Sequence, residues 1–326
     1  MRSRNYYLVF IFFVEILGGC APDAPHDNPI DPGSPGHKTD AALSGIVLSF
    51  GLHSSGVPNA LVAILENGTA QYTDANGNFS FANAPSGNVT LVVSKSSYMS
   101  DTVLVNLTAG TNFKDTLYID PLPQVSSAQV VTSRIDQWWP APVYSALVTA
   151  VAVAPDGLGF DTSAVFVKVD SLTFKMNSVD ARNWQAEINS SQLPNQDLQW
   201  LVGKEFIIYA TDQERGTGAS TGFYVTRLIE TDAILTSPIY PDTASSHPEF
   251  TWQQQTLPYD YTYQLQIYQV NSGTQTPVGS PIGISSDSGS YVYLDSLAAG
   301  QYSWTITIVD NFGNSSTSKE ASFLVQ

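Results

Sequence analysis

Beyond residue 41, apolar and polar positions alternate with a period of two, in short runs broken by turn residues. Successive side chains of a strand point to opposite faces, so this period marks half-buried β-structure. Between residues 42 and 122, Ala60, Val62 and Ile64 face one way. Phe79 with Phe81, then Val89, Leu91 and Val93, then Val103, Val105 and Leu107 repeat the pattern. "DANGN", "APSG" and "TAG" separate them, which predicts a sandwich of about seven strands. Residues 123–230 continue with "YSALVTAVAVAPDG", "AVFVKVDSLTF", "NWQAEI", "LVGKEFIIYATD" and "GFYVTRLIE". Strands this short, spaced by "APDG" and "QERGTG", predict an Ig-like sandwich. "LPNQDLQWL" breaks the alternation and predicts a short helix or turn. Residues 231–326 alternate again, through Pro248-x-Phe250-x-Trp252, "YTYQLQIYQV" and Tyr302-x-Trp304-x-Ile306. The fold class is all-β, with three tandem β-sandwich domains.

The one long apolar run, Tyr6 to Leu17, is about a dozen residues and contains Glu15. A bilayer-spanning helix takes about 20 apolar residues, so this run is too short to cross. It has the size of a secretory signal core, with Arg2 and Arg4 as the positive leading end. Leu17-Gly18-Gly19-Cys20 follows, and it resembles the lipobox of bacterial lipoproteins. That resemblance implies a signal peptide over 1–19, cleavage before Cys20, and lipidation of Cys20 with acyl chains such as palmitate. An ordinary signal with a chance cysteine is the alternative. Cys20 is the chain's only cysteine, so no internal disulfide forms and stability rests on hydrophobic cores. Residues 20–41 read as the lipidated cysteine and a proline-rich tether with too little apolar surface to fold. Its "DNPIDP" resembles the spacers of Bacteroidetes-like envelope lipoproteins. Ala21 after the cysteine, rather than a retention aspartate, points by analogy to the outer membrane, with its inner or outer face left open.

Composition narrows the partners. In 326 residues, 13 Lys and Arg stand against 29 Asp and Glu, a formal net charge of −16. No basic run exists, so nucleic acid and anionic lipid surfaces are disfavoured. The membrane enters only through the N-terminal lipid. At 43% hydrophobic and 11% aromatic residues, the chain carries enough apolar surface for two or three cores.

Two segments resemble known families. Gly45 with Val47, "GVPNALV", Thr73-Asp74-x-x-Gly77-x-Phe79-x-Phe81, Pro85-x-Gly87, and Leu91-x-Val93 with Tyr98 together resemble the carboxypeptidase regulatory-like (transthyretin-like) domain over 42–122. The glycine usual before that tyrosine is Ser97 here, so one loop departs from the pattern. Over 231–326, the Phe250/Trp252 strand, Leu297-x-x-Gly300-x-Tyr302-x-Trp304-x-Ile306 and Asp310-x-x-Gly313 resemble a fibronectin type III domain. That resemblance implies a tyrosine corner at Tyr302 and a core tryptophan at Trp252.

Catalytic and metal chemistry find little footing. Asp74, Asn76 and Asn78 alternate like the start of a calcium loop, but no closing Glu follows at the required distance. Asn76-Gly77 reads instead as a hairpin turn. His26 and His37 lie in the tether, and only His53 and His247 fall in sandwich segments. No zinc spacing or Ser/His/Asp set is visible, and Asp74, Asp156 and Asp212 sit in turn contexts where local hydrogen bonding explains them. The chain therefore reads as not an enzyme, with no cofactor and no metal.

Exposed aromatics remain as the carriers of binding. Tyr259, Tyr261 and Tyr263 look like a sugar-stacking ladder, but they share a strand face with Leu265 and Ile267 and read as core. Tyr291 and Tyr293 lie opposite Val292 and Leu294, and one of these pairs faces solvent. Trp138 and Trp139 are adjacent, so strand alternation sends one inward and one outward. Trp138, Trp139, Tyr291 and Tyr293 are thus the candidate binding surface. Two functions stand: an adhesion, scaffolding or protein-interaction lipoprotein, or a carbohydrate-binding accessory lipoprotein. Five Asp-Ser/Thr-aliphatic triplets, at Asp101, Asp115, Asp170, Asp242 and Asp295, also resemble Bacteroidetes O-glycosylation sites. The gathering of Asp, Ser and Thr at strand ends is the other explanation.

Overall fold

A computed structural model describes residues 33, 34, 36, 39–213 and 216–326, with the side chains of 161–164 left undescribed. Cys20, the signal segment and most of the tether lie outside the described residues. Among the described residues, no helix is long and apolar enough to cross a membrane. The chain divides into two units, one running to Ile119 apart from Ser49–Ser54 and Ser96–Met99, the other holding those two short segments and all residues from Asp120.

The first unit is a seven-stranded sandwich. Asp40–Ser49 lies between Asn78–Pro85 and Asn112–Ile119 in one sheet. The other sheet runs Ala70–Tyr72, Leu61–Ile64, Gly87–Ser94, Asp101–Leu107. The alternation places its apolar set inside: Leu43, Val47, Val62, Ile64, Phe79, Val89, Leu91, Val93 and Leu117 are all buried. The Thr73-Asp74-x-x-Gly77 motif has a physical basis. The buried Thr73 hydroxyl donates to the Val57 carbonyl at 2.6 Å and accepts the Ala60 N–H at 2.8 Å. Asp74 Oδ1 accepts the N–H groups of Asn76 and Asn78, both at 2.8 Å. Those bonds, the Asn78 side chain first, hold its carboxyl below the usual range. Gly77 has φ +86°, and a Cβ there would fall 2.6 Å from the Val47 carbonyl, so only glycine closes this turn without strain. The "DANGN" segment is a turn, as its sequence predicts, but not a hairpin: it links Ala70–Tyr72 in one sheet to Asn78–Pro85 in the other.

The second unit has two cores. One contains Val148, Val165, Val167, Ile188, Phe206 and Ile208. Around it, Leu172–Lys175, Phe160–Val169, Glu205–Asp212 and Thr217–Ala219 form one sheet, and Asn183–Asn189, Val143–Val153 and Gln124–Ile135 lie side by side in the other. "LPNQDLQWL" forms short 3₁₀ turns that bury Leu198 and Leu201. The other core is aromatic. Phe250 lies 4.9 Å from Trp304 and 5.6 Å from Phe323, and Trp252 lies 5.3 Å from Tyr263. Ile234–Ser237, Glu249–Gln253 and Ser290–Val292 cover one side, and Gly300–Asp310 with Tyr261–Asn271 the other. Tyr302 donates to the Ala298 carbonyl at 2.9 Å, the corner its motif implies.

These two cores share a sheet. Ser315–Thr317 pairs in parallel with Ser133–Ile135, joining the strands around both cores into one eleven-stranded sheet. A buried polar network supports the seam. Arg134 lies 3.6 Å from both Asp136 and Asp232 and donates through Nε to Tyr144 Oη at 3.2 Å. Arg227 sits 4.1 Å over the Tyr259 ring and 3.5 Å from Asp310.

Candidate functional site

The strand Gln124–Ile135 ends just before the segment "DQWWPAP". Asp136 is still tied to the neighbouring strand, its N–H donating to the Thr317 carbonyl at 2.9 Å. From there Pro140 and Pro142, which lack ladder donors, turn the chain away. The Gln137 side chain bridges this turn, donating to the Ala141 carbonyl at 3.0 Å. Trp138 and Trp139 therefore lie in a turn, where strand alternation does not apply. Both are exposed, at 76% and 88%, and the expectation that one would enter a core is corrected on that ground.

Trp138 lies against a groove of about 490 Å³ within the second unit, together with Ile234, Ile239, Tyr240 and Lys319. Its indole N–H donates to the Glu320 carbonyl at 2.8 Å, and the Lys319 ammonium lies 5.0 Å from its ring centroid. On the other side, Ser237–Asp242 is fixed from beneath and from within. The buried Trp304 indole donates to the Pro238 carbonyl at 2.9 Å, and the Ile239 N–H donates to Asp242 Oδ2 at 2.9 Å. Tyr240 and Ile239 are thereby held outward. Asp232 and Asp136 line one end of the groove beside Arg134. Burial, then the adjoining Asp136 carboxyl, pushes the Asp232 pKa up. The result is an apolar trough with the Lys319 ammonium on one edge and an acidic end, suited to an extended peptide or to a sugar ring against an indole.

The side chains of Tyr291 and Tyr293 face the aromatic core, Tyr293 buried and Tyr291 half-buried. Tyr293 is buried in the aromatic core, donates to the Val278 carbonyl at 3.0 Å, and has Tyr291 packed beside it. Val292 and Leu294 are the exposed pair. Tyr261 and Tyr263 are also core, as their shared face with Leu265 and Ile267 predicts. His247 hydrogen-bonds to neighbouring turn serines, Ser246 Oγ lying 3.1 Å from Nδ1. The hydroxyls of Thr102, Thr116, Ser171, Thr243 and Ser296 are all exposed.

Sequence reasoning missed Ile234, Ile239, Tyr240 and Lys319, because they reach the groove from separate elements with no shared spacing. It also missed a group of three aspartates. Asp120, Asp156 and Asp212 are all buried, and one carboxylate oxygen from each lies within 4.8 Å of the others. The local turn bonds expected of two of them are present: Asp156 Oδ1 accepts the Leu158 N–H at 3.1 Å, and Asp212 Oδ1 accepts the Gly216 N–H at 2.8 Å. Their mutual approach carries the new information.

No curated protein matches the chain significantly. Among solved structures, it is similar to the major pilin subunit BcpA of Bacillus cereus, at 11% identity, 87% of this chain, 98% of that chain and a TM-score of 0.28. It is similar to the fibronectin(III)-like modules of Clostridium thermocellum CbhA at 12% identity, with 63% and 93% covered and a TM-score of 0.31. The FN1–FN3 domains of chicken CNTN1 match at 9% identity, with 89% and 96% covered and a TM-score of 0.33. The family comparison is sharper and falls on the segment whose turn motif is described above. Residues 43–132 match the family model of the CarboxypepD_reg-like domain.

Proposed function

We propose that the chain is a non-catalytic outer-membrane lipoprotein, held by acyl chains on Cys20, that displays tandem β-sandwich modules for adhesion or protein interaction. The observation that carries this reading is the exposed Trp138 beside a trough lined by Ile234, Ile239 and Tyr240. A large exposed aromatic against an apolar floor is the usual anchor of a protein interface. The tether supplies reach from the membrane, and the low positive charge keeps the modules off anionic surfaces.

Carbohydrate binding is the second reading, and Trp138 with Tyr240 on the same trough favours it. The would-be ladder of Tyr261 and Tyr263 does not, because both rings are core. Protease shaving of intact cells tests display: loss of the sandwich modules from whole cells is expected, and full protection would place them on the inner face. The immobilised protein is then tested for capture of envelope proteins from its host, and for retardation in gels containing single polysaccharides. Protein capture lost in Trp138→Ala supports the first reading. Retardation lost in the same variant supports the second. Binding of either kind that Trp138→Ala leaves intact removes the trough from both.

A further inference from the structure

We propose that Asp120, Asp156 and Asp212 form a calcium site in the second unit. Two oxygens bound to one calcium at about 2.4 Å stand at most about 4.8 Å apart, and one oxygen from each aspartate meets that limit. All three residues are buried, Asp156 with 2% and Asp212 with 1% of their surface exposed. The independent observation is Asp156 Oδ2. It is buried with no hydrogen-bond partner, and among the described residues no ion pair reaches Asp156. A buried carboxylate oxygen in that state is costly unless a proton or a cation meets it. The arrangement favours a cation, because two further buried carboxylates each bring an oxygen within 4.8 Å of one of Asp156.

The surroundings fit. Gly216 lies over the cluster: a Cβ there would stand 2.9 Å from Asp212 Oδ2 and 3.3 Å from Asp120 Oδ2. A side chain at 216 would press on the two oxygens, so glycine is the residue this close approach permits. Each aspartate is fixed through its backbone. The Asp120 carbonyl accepts the Met99 N–H at 2.7 Å, the Asp156 carbonyl accepts the Leu52 N–H at 2.8 Å, and the Asp212 N–H donates to Gly216 at 3.1 Å. The ligands are hard oxygens without histidine or thiolate, which selects calcium or magnesium over zinc and copper. Three converging protein carboxylates suit calcium, since magnesium keeps much of its water shell. The bound ion would tie the entry to the second unit at Asp120 to the turns at Asp156 and Asp212.

The test uses the full chain after EDTA treatment and dialysis, titrated with calcium chloride and, separately, magnesium chloride. Calcium is expected to bind once per chain, with a dissociation constant no weaker than about 10⁻³ M, the range of extracellular modules, and to raise the unfolding temperature. Asp156→Asn keeps the oxygen that accepts from Leu158 and removes the charge, so it should fold and lose at least about tenfold in affinity. Gly216→Ala should weaken calcium binding with every carboxylate retained. Circular dichroism of the metal-free variants shows whether they are folded. Failure of the wild-type chain to respond to calcium overturns the proposal. So does an equal response to magnesium, or an Asp156→Asn variant that binds calcium as the wild type does.

Discussion

Asn314 reaches across the seam of the second unit to Thr132: its side-chain oxygen accepts the Thr132 backbone N–H at 2.9 Å. Its amide nitrogen donates to Asp310 Oδ2 at 3.0 Å, and Asp310 is itself 3.5 Å from Arg227 Nε. Asn314 and Thr132 are both almost fully buried. Asn314→Ala would leave the Thr132 N–H without its acceptor and Asp310 Oδ2 with Arg227 alone, in a low-dielectric setting. A stability loss of about 2–3 kcal/mol is expected, read from urea unfolding of the second unit. A loss below about 0.5 kcal/mol would mean water replaces the amide.

The reach of sequence reasoning follows from the range of each interaction. Val62, Ile64, Phe79 and Leu91 are placed correctly by period alone, because alternation is local and one face is buried. Tyr302 and Trp252 are placed by a motif whose spacing is that of one strand and its corner. The parallel pairing of Ser315–Thr317 with Ser133–Ile135 has no such signal. Ser315–Thr317 is small and polar while Ser133–Ile135 mixes Ser, Arg and Ile, so no common pattern marks them, and their partnership joins elements far apart in the chain. Asp156 and Asp212 are legible as turn residues, each from its own local sequence, and illegible as a cluster with Asp120, which long-range folding brings together. Trp138 and Trp139 failed for a different reason: the alternation rule was carried past Ile135, where the strand stops.

Ser97 stands where the resemblance to the carboxypeptidase regulatory-like domain leads one to expect glycine, and its φ is +66°. A residue with a Cβ is disfavoured in that region by about 1–2 kcal/mol. Glycine removes this strain and adds unfolded-state entropy, so Ser97→Gly should stabilise by about 0.5–1 kcal/mol. A rise in the urea midpoint at unchanged slope is the expected result. A fall would show that the serine hydroxyl contributes more than its backbone costs.

Two aspartates give opposite pH dependences. Asp180 is exposed, and the Arg182 N–H, then the Asn183 side chain and N–H, hold its pKa below the ordinary value. Its contribution is therefore present above the unfolded-state pKa and is lost as pH falls through the lower folded value. Asp232 is raised by burial and by Asp136. Its contribution is full below the unfolded pKa and is lost as pH rises through the higher folded value. Asp180→Asn should flatten the acid limb of the stability profile, and Asp232→Asn the part just above it. Thermal unfolding from pH 2 to pH 7, about the span that brackets carboxylate titration, separates the two. Identical changes in both variants would contradict the assignment.

Cys20→Ala removes the proposed anchor. Each buried methylene of an attached chain contributes about 0.8 kcal/mol, and more than one chain gives lasting attachment. The variant should leave the detergent phase on Triton X-114 partition and accumulate unprocessed or as a soluble exported form. Full partition of the variant into detergent at mature size would refute lipidation at this cysteine.

Tryptophan substitutions test the groove against the core in one series. Trp304 is fully buried, with its ring 4.9 Å from Phe250 and its indole N–H on the Pro238 carbonyl. Trp304→Ala opens a large cavity and orphans that carbonyl, at an expected cost of about 3–5 kcal/mol. Because Pro238 precedes Ile239 and Tyr240, the same substitution should also loosen the groove wall and weaken any ligand bound there. Trp139 is the most exposed large apolar side chain of the described residues, so Trp139→Ala should change stability by less than about 0.5 kcal/mol. Trp138→Ala falls between them, losing the bond to the Glu320 carbonyl and the Lys319 contact, for about 1 kcal/mol. Trp138→Phe keeps an aromatic face without the donor and separates ring contact from hydrogen bonding. Chemical denaturation of the four variants gives the order. Equal losses at 138, 139 and 304 would mean that the 136–142 turn packs as core and offers no surface to a partner.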